Sequence, residues 1–177
     1  MVSTTVTALT IAVLAEVFVV AGIGLSVVKP EYRIWPPEEM NWRFWYYWGG
    51  SAVVFAALVV VGYETAESFV LRHVIWDAVG GLLTLTGLAF AGWAGYVFRV
   101  SESFGIEGEL HTEGPYKYTR NPQYVGMYVS IVGVMLVVNS LALIVGFIPV
   151  FVWIYLLPLA EEPWLEEEFG EEYEEYT

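Results

Sequence analysis

The sequence predicts an all-α integral membrane protein of five transmembrane helices, the last two forming a tight hairpin, with a C-terminal amphipathic helix after them. Three observations predict it. Of 177 residues, 57% are hydrophobic and only 15% charged, more apolar surface than a soluble domain of this size can bury. The apolar residues gather in runs of about 20 or more, the length a helix needs to cross the hydrocarbon core. The few cations fall almost wholly in alternate loops, the pattern of a chain that weaves through a bilayer.

The first run, Thr4–Val28, is interrupted only by Glu16. It has no positive leading segment and is too long for the apolar core of a signal peptide, so it is expected to stay as an anchor. The second and third runs, 44–63 and 78–98, carry no charge. The fourth, 124–160, has 37 uncharged residues, too many for one crossing and enough for two, with a turn near Asn139-Ser140. Pro149 is expected to kink the second arm. Glu16, an acid midway along a span, is expected to make a structural hydrogen bond to a neighbouring helix. In the third run Gly87, Ala91 and Gly95 repeat every four residues and offer a small-residue face for close packing.

With five spans, loops 29–43 and 99–123 and the C-terminal tail share one side and hold six of the seven basic residues; the other side keeps Arg72. By the positive-inside rule the first side is cytoplasmic and the N-terminus lies outside. Trp35, Trp42, Trp45 and Trp48 cluster where the chain re-enters the bilayer, as an interfacial belt does. Seven basic against 20 acidic residues leave no stripe to neutralise phosphates, so nucleic acid is not an expected partner. With no cysteine, and with His73 and His111 far apart, neither thiolate chemistry nor a metal site is expected.

The chemistry-bearing stretch is the third loop and the start of the fourth run: Gly114-Pro115-Tyr116, Tyr118, Arg120-Asn121-Pro122, Tyr124 and Gly126. Prolines and glycines keep this backbone irregular, which is tolerated near lipid only when buried in protein or lining a polar cavity. Arg120, at the mouth of an uncharged span, either snorkels to a lipid phosphate or pairs with an anionic ligand. The hairpin returns the chain to the same face at Glu161-Glu162, so acid and base are expected to share one pocket. Beyond them Trp164 or Leu165, Phe169, Tyr173 and Tyr176 recur near helical spacing, opposite a face that is almost wholly glutamate. Anionic headgroups would repel that face, so the tail is expected to fold over the protein and cover the pocket.

The pattern G-P-Y-x-Y-x-R-N-P-x-Y-x-G, an apolar hairpin, then E-E-x-x-L-x-x-x-F-G-x-x-Y-x-x-Y closely resembles the isoprenylcysteine carboxyl methyltransferases, relatives of the phospholipid methyltransferases. The likeness covers roughly 111–176. It implies a membrane methyltransferase using S-adenosyl-L-methionine on a membrane lipid or prenylated small acceptor. It further implies a cofactor site of His111, Gly114, Tyr116, Arg120, Asn121, Pro122, Tyr124, Gly126, Glu161 and Glu162, with Arg120 and Glu161 closest to the chemistry. In two places the chain departs from its relatives. Asn121 stands where many carry His, which removes proton transfer there, and Leu156, Leu157 and Pro158 stand where eukaryotic prenylcysteine enzymes carry Arg before the paired acids. The second departure removes a bidentate grip on a substrate carboxylate.

Residues 1–98 thus read as a three-span region and 99–177 as motif loop, hairpin and acidic cap of one integrated domain. Two rival functions differ in what they require. A sterol-type NADPH-dependent reductase shares a similar C-terminal half but is much longer. A non-catalytic scaffold or transporter subunit has no need of a polar loop opposite paired acids.

Overall fold

The computed structural model describes residues 3–69, 73–97, 104 and 109–176, and these are built almost entirely of helix. Arg72, Arg99 and the end of the third run at Phe98 lie outside the described residues. Helix α1 spans Thr4–Val28, with the Ser3 side chain accepting from the Val6 N–H at 3.2 Å. Helix α2 spans Trp42–Thr65, capped by Asn41, whose side-chain Oδ1 accepts from the Arg43 N–H at 2.8 Å. Helices α3, α4 and α5 are Val74–Val97, Pro122–Val138 and Leu141–Phe169, and the short α6 is Glu171–Tyr176. Four of these, α1, α2, α3 and α5, are long and apolar enough to cross a membrane. Helix α4 has 17 residues.

The packing divides the helices into two groups. Helices α1, α2 and α5 share a side-chain core in which Val19, Val54 and Val150 are completely buried and Trp153 nearly so. Helix α3 packs chiefly on α4, by backbone contact. A Cβ at Gly126 would lie 2.6 Å from both the carbonyl oxygen of Gly87 and the amide nitrogen of Ala91. One at Gly80 would lie 2.8 Å from the Gly133 carbonyl. Helices meet this closely in lipid when small residues let backbones approach, since no hydrophobic drive separates protein from lipid tails. Gly87 and Ala91 thus take part in a packing face.

Glu16 is fully buried in α1, and among the described residues neither of its carboxylate oxygens has a hydrogen-bond partner. The interhelical hydrogen bond expected of it is not made. The core that α1 shares with α2 and α5 is largely aliphatic and offers a carboxyl few donors.

At the hairpin turn Asn139 takes the left-handed conformation, φ 49°, and closes α4. Ser140 opens α5 by accepting from the Leu143 N–H at 3.1 Å. Helix α5 then runs unbroken through Pro149, Pro158 and Pro163. A proline removes one helical hydrogen bond, but leaving the helix inside lipid would strand many more backbone groups. The residues expected to form a separate amphipathic tail are therefore mostly the last turns of α5. Gly170, at φ 49°, turns the chain into α6.

Candidate active-site cleft

Three segments meet at one end of the bundle: the strap between α1 and α2, the loop leading into α4, and the end of α5 with α6. Between them lies a cleft enclosing about 960 Å³, the open solvent at its mouth included.

Helix α4 begins where the sequence breaks regularity. Gly114, at φ 60°, starts a 3-10 turn through Lys117, a backbone conformation that L side chains rarely adopt. Pro122 occupies the first helical turn, where its missing N–H is no loss. Asn121 sits at the cap position without a side-chain cap bond, so its amide is left to the cleft that it lines. The Thr119 hydroxyl accepts from the Asn121 N–H at 3.2 Å and holds the turn ahead of it.

Glu161 and Glu162 come from α5, beside this turn. Arg120 lies 3.4 Å from Glu162, and both side chains are close to half exposed. An ion pair so exposed contributes at most about 1 kcal/mol to stability, so the pair is better explained by what it presents to the cleft. Glu161 sits deeper. Its Oε1 accepts from the Trp35 indole N–H at 2.7 Å and also from the Tyr124 hydroxyl. Both donors fall on one oxygen, and among the described residues Oε2 receives none.

The tail closes the cleft from above. Tyr173 is buried, and the Tyr176 hydroxyl donates to the Tyr116 carbonyl at 2.8 Å, fastening α6 to the motif loop. Burial raises the pKa of the Tyr173 hydroxyl, an effect opposed by its hydrogen bond to Arg120. Trp164, Leu165 and Phe169 add apolar lining. The cleft therefore combines a cation, two carboxylates and aromatic walls, the set needed for a ligand that carries both signs of charge and a flat ring.

Of the residues named from sequence, His111, Tyr116, Arg120, Asn121, Pro122, Tyr124, Glu161 and Glu162 line the cleft. Gly114 and Gly126 do not. Gly126 is taken up by the α3 crossing, and a Cβ on Gly114 would meet Val97 at 3.2 Å, so the two serve packing and the turn. Trp35 and Pro36 were missed as cleft residues. Sequence reading assigned Trp35 to an interfacial belt, whereas it is 4% exposed and faces Glu161, 126 positions away. The local signal was the Trp35-Pro36-Pro37 run, too stiff and apolar for an ordinary solvated loop.

A family model described as phospholipid methyltransferase matches residues 74–172, more than half of the chain. Neither the comparison with curated proteins nor that with solved structures gives a match.

Proposed function

Because the chain belongs to the phospholipid methyltransferase family, we propose that its cleft takes S-adenosyl-L-methionine and serves methylation of a lipid-like or prenylated acceptor at the cytoplasmic face. The observation that carries this reading is the gathering of Arg120, Glu161 and Glu162 around one cleft between the motif loop and the end of α5. The residues suit the cofactor's chemistry. Arg120 would hold its carboxylate, Glu161 and Glu162 its ammonium or ribose hydroxyls, and Tyr116 and Tyr124 would wall the adenosine, with His111, Asn121 and Pro122 completing the lining. When bound, the cofactor supplies a methyl group on a positively charged sulfur. The protein needs little acid–base machinery for such a transfer, since a neutral thioether leaves. Its part is to orient donor and acceptor and to keep water out, and orientation alone contributes several kcal/mol. The α6 cap and the aromatic lining serve both ends.

A five-crossing topology belongs to this reading. Helix α4 is about 25 Å long, slightly short of the ~30 Å hydrocarbon core, and would span it with local thinning. The N-terminus then lies outside, with the cleft and the C-terminal cap on the side richer in cations. The absence of cysteine makes this simple to test: a single cysteine at Glu113 should label with a membrane-impermeant maleimide only in inverted vesicles. Labelling from the outside of intact cells would reverse the orientation.

The activity itself is tested by incubating purified protein in native lipid with methyl-labelled cofactor. A labelled lipid-extractable product is expected, and it should disappear in Glu161→Ala. Equal labelling in that variant would remove the cleft from the reaction.

A further inference from the structure

The family match begins at residue 74, yet one wall of the cleft comes from the strap ahead of α2. We propose that Trp35 is a positioning residue, whose indole N–H fixes Glu161 so that one carboxylate oxygen is held by the protein and the other faces the ligand. The proposal rests on the cofactor-cleft reading above and deepens it.

The geometry is specific. A glutamate side chain swings about three torsions, and a carboxylate has two oxygens with about four acceptor sites. Here Trp35 and Tyr124 both donate to Oε1, which pins the group from two sides. An indole N–H only donates, so the direction of this bond is fixed. Oε2 keeps its acceptor capacity for a ligand group that donates, an ammonium or a hydroxyl.

Trp35 is itself held in place. Its backbone N–H and that of Ile34 donate to the Ser26 hydroxyl near the end of α1, at 3.1 and 2.8 Å. Its ring lies 4.1 Å from Tyr47, whose hydroxyl accepts from the Trp153 indole at 3.2 Å. Arg33, two residues earlier, pairs with Glu38 within the strap and approaches Glu167 of α5 at 3.7 Å. The strap between the N-terminal helices, which lies ahead of the family match, thus reaches the end of α5, and it touches Glu161 through the Trp35 indole.

Two measurements test this in lipid nanodiscs. In protein carrying 15N-labelled tryptophan, the Trp35 indole resonance, identified by its loss in Trp35→Phe, should move upfield in Glu161→Gln, because a neutral acceptor bonds more weakly than a carboxylate. In the second, S-adenosylhomocysteine should bind Trp35→Phe about tenfold more weakly, with the protein still folded by circular dichroism. Trp48→Phe, which removes another indole of the same aromatic cluster (one that donates to the Phe104 carbonyl), should stay within twofold of wild type. An indole resonance that ignores Glu161→Gln would overturn the proposal. So would equal losses in the two tryptophan variants, the mark of a packing role. Wild-type protein that keeps the indole shift but binds no S-adenosylhomocysteine would instead bring down the cofactor reading and the positioning role with it, leaving a structural hydrogen bond.

Discussion

The two ends of the α4–α5 hairpin both gather polar groups and use them in opposite ways. At the turn the groups answer one another. The Thr65 and Ser140 hydroxyls lie 2.5 Å apart, the Asn139 amide donates to the Phe69 carbonyl at 3.2 Å, and the Phe69 N–H returns a bond to the Asn139 carbonyl at 2.8 Å. At the other end Asn121 makes no cap bond, Arg120 and Glu162 meet half in solvent, and Glu161 keeps one oxygen without a donor among the described residues. Beside a bilayer an unanswered polar group is expensive, so stability alone favours the closed pattern. The proposed function accounts for the open end as the place of a ligand.

Breaking the open end should give the largest effect. Arg120→Ala and Glu161→Ala are each expected to weaken S-adenosylhomocysteine binding by about 100-fold or more, the scale for removing one partner of a charge-assisted contact in a cleft. Circular dichroism should show both variants folded and thermal melting should leave Arg120→Ala near wild type, whereas Glu161→Ala, which deprives the Trp35 indole N–H and the Tyr124 hydroxyl of their acceptor, should melt somewhat lower. A fall in the stability of Arg120→Ala as well would make the open end structural and erase the contrast. The α3 crossing sets up the next test. Gly126→Leu, forced against the Gly87 carbonyl, should cost about 2–3 kcal/mol of stability, read from denaturant unfolding in detergent, while Gly126→Ala costs less.

Two smaller effects sharpen the comparison. Glu16→Leu removes an unpartnered buried carboxyl from α1 and should raise stability by about 1–2 kcal/mol without changing affinity for S-adenosylhomocysteine. A loss of affinity would give Glu16 a part in the site. At the closed end, Ser140→Ala should lower stability by about 1 kcal/mol through the lost cap of α5, again with binding intact.

Helix positions were legible in the sequence because lipid allows little else: an uncharged run of sufficient length must satisfy its own backbone. The first run coincides with α1, the second and third fall within a few residues of α2 and α3, and the turn sits at Asn139-Ser140. The meeting of Arg120 with Glu162 followed from the same topology, because a hairpin returns its second arm to the starting face. What escaped is what depends on tertiary neighbours. Gly126 belongs to a motif-like string, yet its role is decided by how near α3 comes. Trp35 looks like any interfacial tryptophan until Glu161 appears opposite it. Nor does the sequence disclose that Glu16 lacks a partner among the described residues, since that depends on which residues α2 and α5 bring near it. The spacing of Trp164 or Leu165, Phe169, Tyr173 and Tyr176 shows a helix but not where it starts, and helix α5 persists through Pro158 and Pro163 into it.

The most direct test of the open end is a calorimetric titration of purified protein in nanodiscs with S-adenosylhomocysteine. A ligand cleft built on Arg120 and Glu161 predicts saturable binding at one site per chain in wild type, lost in Arg120→Ala and in Glu161→Ala though both remain folded. Binding of equal strength in all three proteins would contradict it.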